Sequence, residues 1–81
     1  MKLKAIHCME CDDVIYSRAR QDFRYCSCGQ VSVEGGREYF KYGNAPGADF
    51  KITEVNVNVP LNELYEDWDQ MVDNYGVIHA A

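Results

Sequence analysis

Among the 81 residues, four cysteines are best placed to do chemistry. Cys8 and Cys11 form a Cys-x-x-Cys pair followed at once by Asp12 and Asp13, and Cys26 and Cys28 form a tighter Cys-x-Cys pair closed by Gly29. A disulfide framework suits secreted chains, but "MKLKAIHCME" has no apolar stretch long enough for a signal peptide. The expectation is therefore an intracellular, cytoplasmic protein. A thioredoxin-type redox pair needs a helix after the motif, whereas "DDVIYS" reads as strand. Two cysteine pairs on two tight turns are the ligand set of a tetrahedral zinc ion, with turn amides offsetting the thiolate charge. Cys8, Cys11, Cys26 and Cys28 are the predicted ligands. His7 is the nearest substitute, although a histidine beside a ligand is more often its strand neighbour.

With four protein ligands a zinc ion has no open position for water or substrate, so the expected role is structural. A chain this short gains most from such a staple. No nucleophile–base pair, phosphate loop or open metal triad is visible, and Asp12 and Asp13 are turn neighbours that point different ways. The expectation is a protein that is not an enzyme.

Elements must flank each turn. "LKAI" and "VIYS" bracket the first pair; "DFRY" and "QVSVE" bracket the second. Gly35-Gly36 predicts a two-residue hairpin turn, from which "REYFKYG" returns. "YGNAPGAD" predicts a loop. In "KITEVNVNV" Thr53, Val55, Val57 and Val59 share one face, as in a half-buried strand. Pro60 suits a helix start. Leu61, Leu64, Tyr65, Trp68, Met71, Val72 and Tyr75 then fall on one helical face, with Gly76 as the C-terminal cap. His79 is expected in a frayed tail. The reading is α+β: a zinc-ribbon β subdomain over 1–43, a loop over 44–50, a strand plus acidic amphipathic helix over 51–76, and a tail over 77–81.

The run "CMECDDVIYSRARQDFRYCSCGQVSVEGGREYFKYG" resembles small, uncharacterised zinc-ribbon proteins encoded by tailed bacteriophages. Asp13 to Arg18, Asp22 to Arg24, Cys26, Cys28, Gly29, Val33, Gly35 and Gly36 carry the resemblance, which spans Cys8 to Gly43. It implies a zinc ribbon of phage origin acting in the infected cell, and no reaction.

Charge divides the functional readings. The net charge is −5, and Glu63, Glu66, Asp67, Asp69 and Asp73 all lie in the predicted helix. Such a surface repels nucleic acid, which is held through Lys and Arg contacts to phosphate. The first reading is a protein-interaction module that binds or inhibits a host protein through Glu63, Glu66, Asp67 and Asp73. The plainer alternative is that these acids form a solvated face. The apolar helix face leaves room for a homodimer. The second reading is a nucleic-acid-binding ribbon using Arg18, Arg20, Phe23, Arg24 and Tyr25, with Arg37 and Lys41 on the next hairpin. Against it, Phe23 and Tyr25 are expected as core residues beside the metal, and Arg18, Arg20 and Arg24 as partners of Asp12, Asp13 and Asp22.

Overall fold

The computed structural model describes residues 2–36, 38–72 and 74–79. Arg37 and Asp73, both singled out above, lie outside them. The chain forms two antiparallel sheets and one short helix, an α+β arrangement. The first sheet has the order β6-β1-β2-β7, with β1 Lys2–Cys8, β2 Val14–Ile15, β6 Phe50–Asn56 and β7 Val77–Ile78. The second has the order β3-β4-β5, with β3 Arg24–Tyr25, β4 Val31–Glu34 and β5 Lys41–Asn44.

β1 is the central element because it is apolar on both sides. Side chains alternate across a strand, so Leu3 and Ala5 face one way and Ile6 and Cys8 the other, and all four are buried. Ile6 and Cys8 join Ile15, Cys26, Val31 and Val33 in a core between the two sheets, with Phe40, Phe50 and Val77 packed on it. Leu3 and Ala5 join Tyr16, Val57 and Leu64 in a second core under the helix. The helix thus covers its own chain's sheet. The cysteines belong to the first core, and the acidic helix to the second.

Helix α1 runs Leu61–Asp69 behind an extended Pro60, so the predicted start holds and the predicted end does not. Leu64 is fully buried and Leu61, Tyr65 and Trp68 partly so, whereas Met71 is 88% exposed at φ 58°. Apolar spacing predicts where a helix can continue, but buried polar groups decide where this one stops. The Asp67 carboxylate accepts the Asn74 and Tyr75 amides at 3.2 and 3.1 Å, and an Arg18 Nη1 proton goes to the Val72 carbonyl. Gly76 is no helix cap: at φ 103° its carbonyl accepts the Tyr16 amide at 2.9 Å and leads into β7. Val77 and Ile78, expected in the tail, pair with Ile15 and Val14 of β2.

Other boundaries also move. β5 ends at Asn44 and β6 begins at Phe50, so the loop expected over 44–50 contains the ends of both strands. β6 is an edge strand, so Thr53 stays exposed and Val55 half-buried; the buried Val57 lies just past its end. Glu34 pairs with Lys41, so the connection is longer than a two-residue turn. Gly35 accepts the Glu38 and Tyr39 amides at 3.2 and 3.3 Å. At φ 108° a Cβ on Gly35 would run into the Tyr39 carbonyl and ring. Gly35→Ala is therefore expected to lower stability by about 1–3 kcal/mol in a denaturant melt; an unchanged midpoint would mean that this loop rearranges freely. Among the described residues, no helix is long and apolar enough to cross a membrane.

Candidate metal centre

Cys8 ends β1, and the turn after it carries Cys11. The Asp12 amide returns to the Cys8 carbonyl at 2.8 Å, with Asp12 at φ 62°, and the Cys8 amide donates to the Asp13 carbonyl at 2.9 Å. Cys26 follows β3. Its amide donates to the Val31 carbonyl at 3.2 Å, and its carbonyl accepts the Gly29 amide at 3.0 Å. Gly29 sits at φ 75°, the left-handed conformation that makes glycine useful there.

These turns bring the four sulfurs within 4.8 Å of one another, with Cys8 and Cys28 3.6 Å apart and Cys26 and Cys28 3.5 Å apart. An ion bound tetrahedrally at about 2.3 Å to each thiolate sets its sulfurs about 3.8 Å apart; a disulfide would need about 2.05 Å. All four cysteines are free thiols. The cluster can hold a metal ion, with Cys8 and Cys26 buried and Cys28 at the rim.

Backbone amides aim at the sulfurs: Cys11 and Glu10 at Cys8, Val31 and Gln30 at Cys26, and Gln30 at Cys28. Burial opposes ionisation of Cys26, but the Val31 amide and the neighbouring Cys28 and Cys8 thiols bring it down to about 7. At Cys28 the Gln30 amide favours the thiolate, yet burial and the Cys26, Cys8 and Cys11 sulfurs push it up to about 12. Burial also pushes Cys8 up. Each thiolate thus opposes ionisation of its neighbours, and full ionisation of the set requires a cation.

Neither histidine joins the sulfurs. His7 Nε2 lies 3.2 Å from Asp12 Oδ1, and His79 Nδ1 lies 3.2 Å from Asp13 Oδ1. Burial raises the Asp13 carboxyl, but the Ser27 hydroxyl and amide, with His79, outweigh it and hold Asp13 below the ordinary value. Asp12 and Asp13 therefore meet histidines; among the expected arginine partners only Asp22 takes one.

The residues of the nucleic-acid reading separate. Arg18 is buried, with Nε and Nη2 donating to Asp22 at 2.8 and 3.1 Å and Nη1 to Asp67 at 2.6 Å. It therefore presents no charge to a phosphate. Arg24 is half-buried, and Arg20 lies 3.4 Å from Glu38. Phe23 and Tyr25, expected in the core, are 52% and 60% exposed with ring centroids 5.5 Å apart. β3 is an edge strand, and these alternate residues point away from the core side of its sheet.

The acidic stripe divides similarly. Glu63 and Glu66 are exposed, and Glu63 accepts the Tyr75 hydroxyl at 2.8 Å. Asp67 is buried on Arg18, so it belongs to the interior. Neither Asp67's position nor His79's contact was legible beforehand, because neither residue belongs to a motif. Between the halves, Arg18, Asp22, Phe23, Arg24, Trp68 and Met71 line a shallow cleft of about 330 Å³.

Residues 1–44 match the model of a family described as a domain of unknown function (DUF7695). The match takes in all four cysteines and ends with β5, leaving β6, α1 and β7 outside it. No curated protein and no solved structure matches the chain. By a match over more than half its length, ending where the cysteine-bearing strands end, this chain belongs to the DUF7695 family.

Proposed function

We propose that this chain is a non-catalytic protein-interaction module built on a structural zinc ion. Four thiolates at tetrahedral spacing are a zinc donor set, and bound there the ion would complete the core around Ile6 and Val31. One observation carries the interaction reading: Tyr25, Phe23 and Met71 are 60%, 52% and 88% exposed, and Phe23 and Met71 line one cleft with Trp68. Contiguous exposed apolar side chains mark binding surfaces, and aromatic residues dominate interface energetics. Met71 adds a strained backbone at an exposed tip, a feature that collects at functional sites. Glu66 and Asp69 adjoin Trp68 and Tyr65, which suits a partner with an apolar anchor flanked by Lys or Arg. The resemblance to phage-encoded proteins supports a host protein of the infected cytoplasm as that partner.

The exposed Phe23–Tyr25 pair also favours a second reading, stacking of single-stranded nucleic acid. The net charge of −5 and the burial of Arg18 weigh against it. Affinity capture from host lysate, repeated with Phe23→Ala/Met71→Ala, distinguishes the readings. A partner protein is expected whose binding weakens at least about 10-fold in the variant, with the melting midpoint nearly unchanged. Retained binding would sink the strip as the interface. Binding of a labelled oligonucleotide at low salt that also needs Phe23 would favour the second reading.

A further inference from the structure

The Cys26–Cys28 pair has a single spacer, Ser27, so its turn has little backbone of its own with which to aim two sulfurs. The bracing comes from Asp13, beside the other turn. Its Oδ2 accepts the Ser27 amide at 2.7 Å and the Ser27 hydroxyl at 2.5 Å, while its backbone carbonyl accepts the Cys8 amide at 2.9 Å. One buried residue, 3% exposed, thus ties both cysteine turns together.

The second oxygen of Asp13 faces the C-terminus. His79 Nδ1 approaches Oδ1 at 3.2 Å from 66 residues away. A carboxylate that already accepts two hydrogen bonds leaves the imidazole to donate. The contact continues the ladder. Ile15 pairs with Val77 and Val14 with Ile78, so Asp13 and His79 fall at the next cross-strand position.

We propose that Asp13 and His79 form a clasp through which seating of the C-terminal strand β7 raises the affinity of the four-cysteine site for its metal ion. The proposal rests on reading that site as a zinc centre. Both are positioning residues: Asp13 acts on the sulfurs through Ser27, and His79 acts through Asp13. Carboxylates that orient the surroundings of a metal site typically change affinity by 10- to 100-fold when lost, and the coupling between strand and metal is reciprocal.

The test is cobalt titration of the full chain, followed by competition with zinc. Wild type is expected to show intense thiolate-to-cobalt absorption. Asp13→Asn is expected to weaken zinc about 10- to 100-fold, and His79→Ala about 5-fold, with the four-thiolate spectrum unchanged in both. His79→Asn, which keeps an N–H donor, should restore affinity. The double variant Asp13→Asn/His79→Ala should bind within about 2-fold of Asp13→Asn alone, because the two act as one unit. If Asp13→Asn does not fold, His79→Ala decides, since the His79 side chain is 71% exposed. Wild-type affinity in His79→Ala would overturn the clasp and leave the zinc reading standing. Absence of thiolate-to-cobalt absorption in the wild type would overturn that reading and the clasp with it.

Discussion

Removing the proposed zinc ion with a strong chelator is expected to abolish cooperative folding of the half that carries the four cysteines. Cys8 and Cys26 are members of the core formed with Ile6, Ile15, Val31 and Val33, so the ion would sit against that core. Structural zinc supplies about 10–16 kcal/mol of apparent folding free energy in finger peptides, against a net stability of about 5–15 kcal/mol for typical domains. Losing the proposed ion would exceed what the rest of the chain can offset. The second core, Leu3, Ala5, Tyr16, Val57 and Leu64, is too small to hold the sheets alone. The metal-free protein should therefore lose amide dispersion in an NMR spectrum and recover it on adding zinc. Cys26→Ser should behave as the metal-free form. Chelated protein that keeps a sharp thermal transition and native amide shifts would show that the thiols pack well enough without a cation.

Arg18→Ala is expected to be the most damaging substitution away from the cysteines. It strands two buried carboxylates, Asp22 and Asp67, which share the guanidinium. Breaking a buried charge pair from one side costs about 3–5 kcal/mol, a large share of the stability of a small domain. Arg18→Lys should recover little, because an ammonium cannot form the two-pronged contact to Asp22 while also reaching Asp67 and Val72. Urea unfolding of metal-loaded protein measures both. A loss below about 1 kcal/mol would mean that Asp67 escapes to solvent and that packing of Leu64 alone holds the helix.

The same network sets the acid response. Burial raises the Asp67 carboxyl, but Arg18 and the Tyr75 and Asn74 amides outweigh it and hold Asp67 below the ordinary value. A depressed folded-state value means that the unfolded chain binds its proton first as pH falls. The stabilisation is complete above about pH 5 and disappears as pH drops below about 3.9 toward the lowered value. In Arg18→Ala this part of the acid sensitivity should shrink.

The fold explains why a single domain carries two kinds of constraint. One face of β1 packs onto the cysteine ribbon, and the other onto the helix that follows the family-matched segment. Two long-range polar contacts reinforce the packing that joins them: Arg18 to Asp67 across 49 residues, and Asp13 to His79 across 66. Neither is visible from spacing. The exposed strip at Phe23 and Met71 lies at the first of these joints, which is why the helix end and the proposed interface are the same place.

Local features were legible in the residues. Cysteine spacing gave the two turns, because turn geometry depends on a few consecutive dihedrals and on Gly29. Apolar residues beside each cysteine pair gave β1 and β4, and Pro60 with Leu61 and Leu64 gave the helix start, since each depends on neighbours within one or two turns of chain. The remainder came from long-range packing. Asp67 reads as one acid among several on a polar helix face until Arg18 captures it, and that capture draws the chain out of the helix before Met71. Phe23 and Tyr25 read as core material until the edge position of β3 turns them to solvent. His79 reads as a loose end until β7 docks on β2 and places it against Asp13. Asp67 and His79 found their partners far along the chain, and Phe23 and Tyr25 lie at a strand that nothing among the described residues covers; side-chain type carries no record of either.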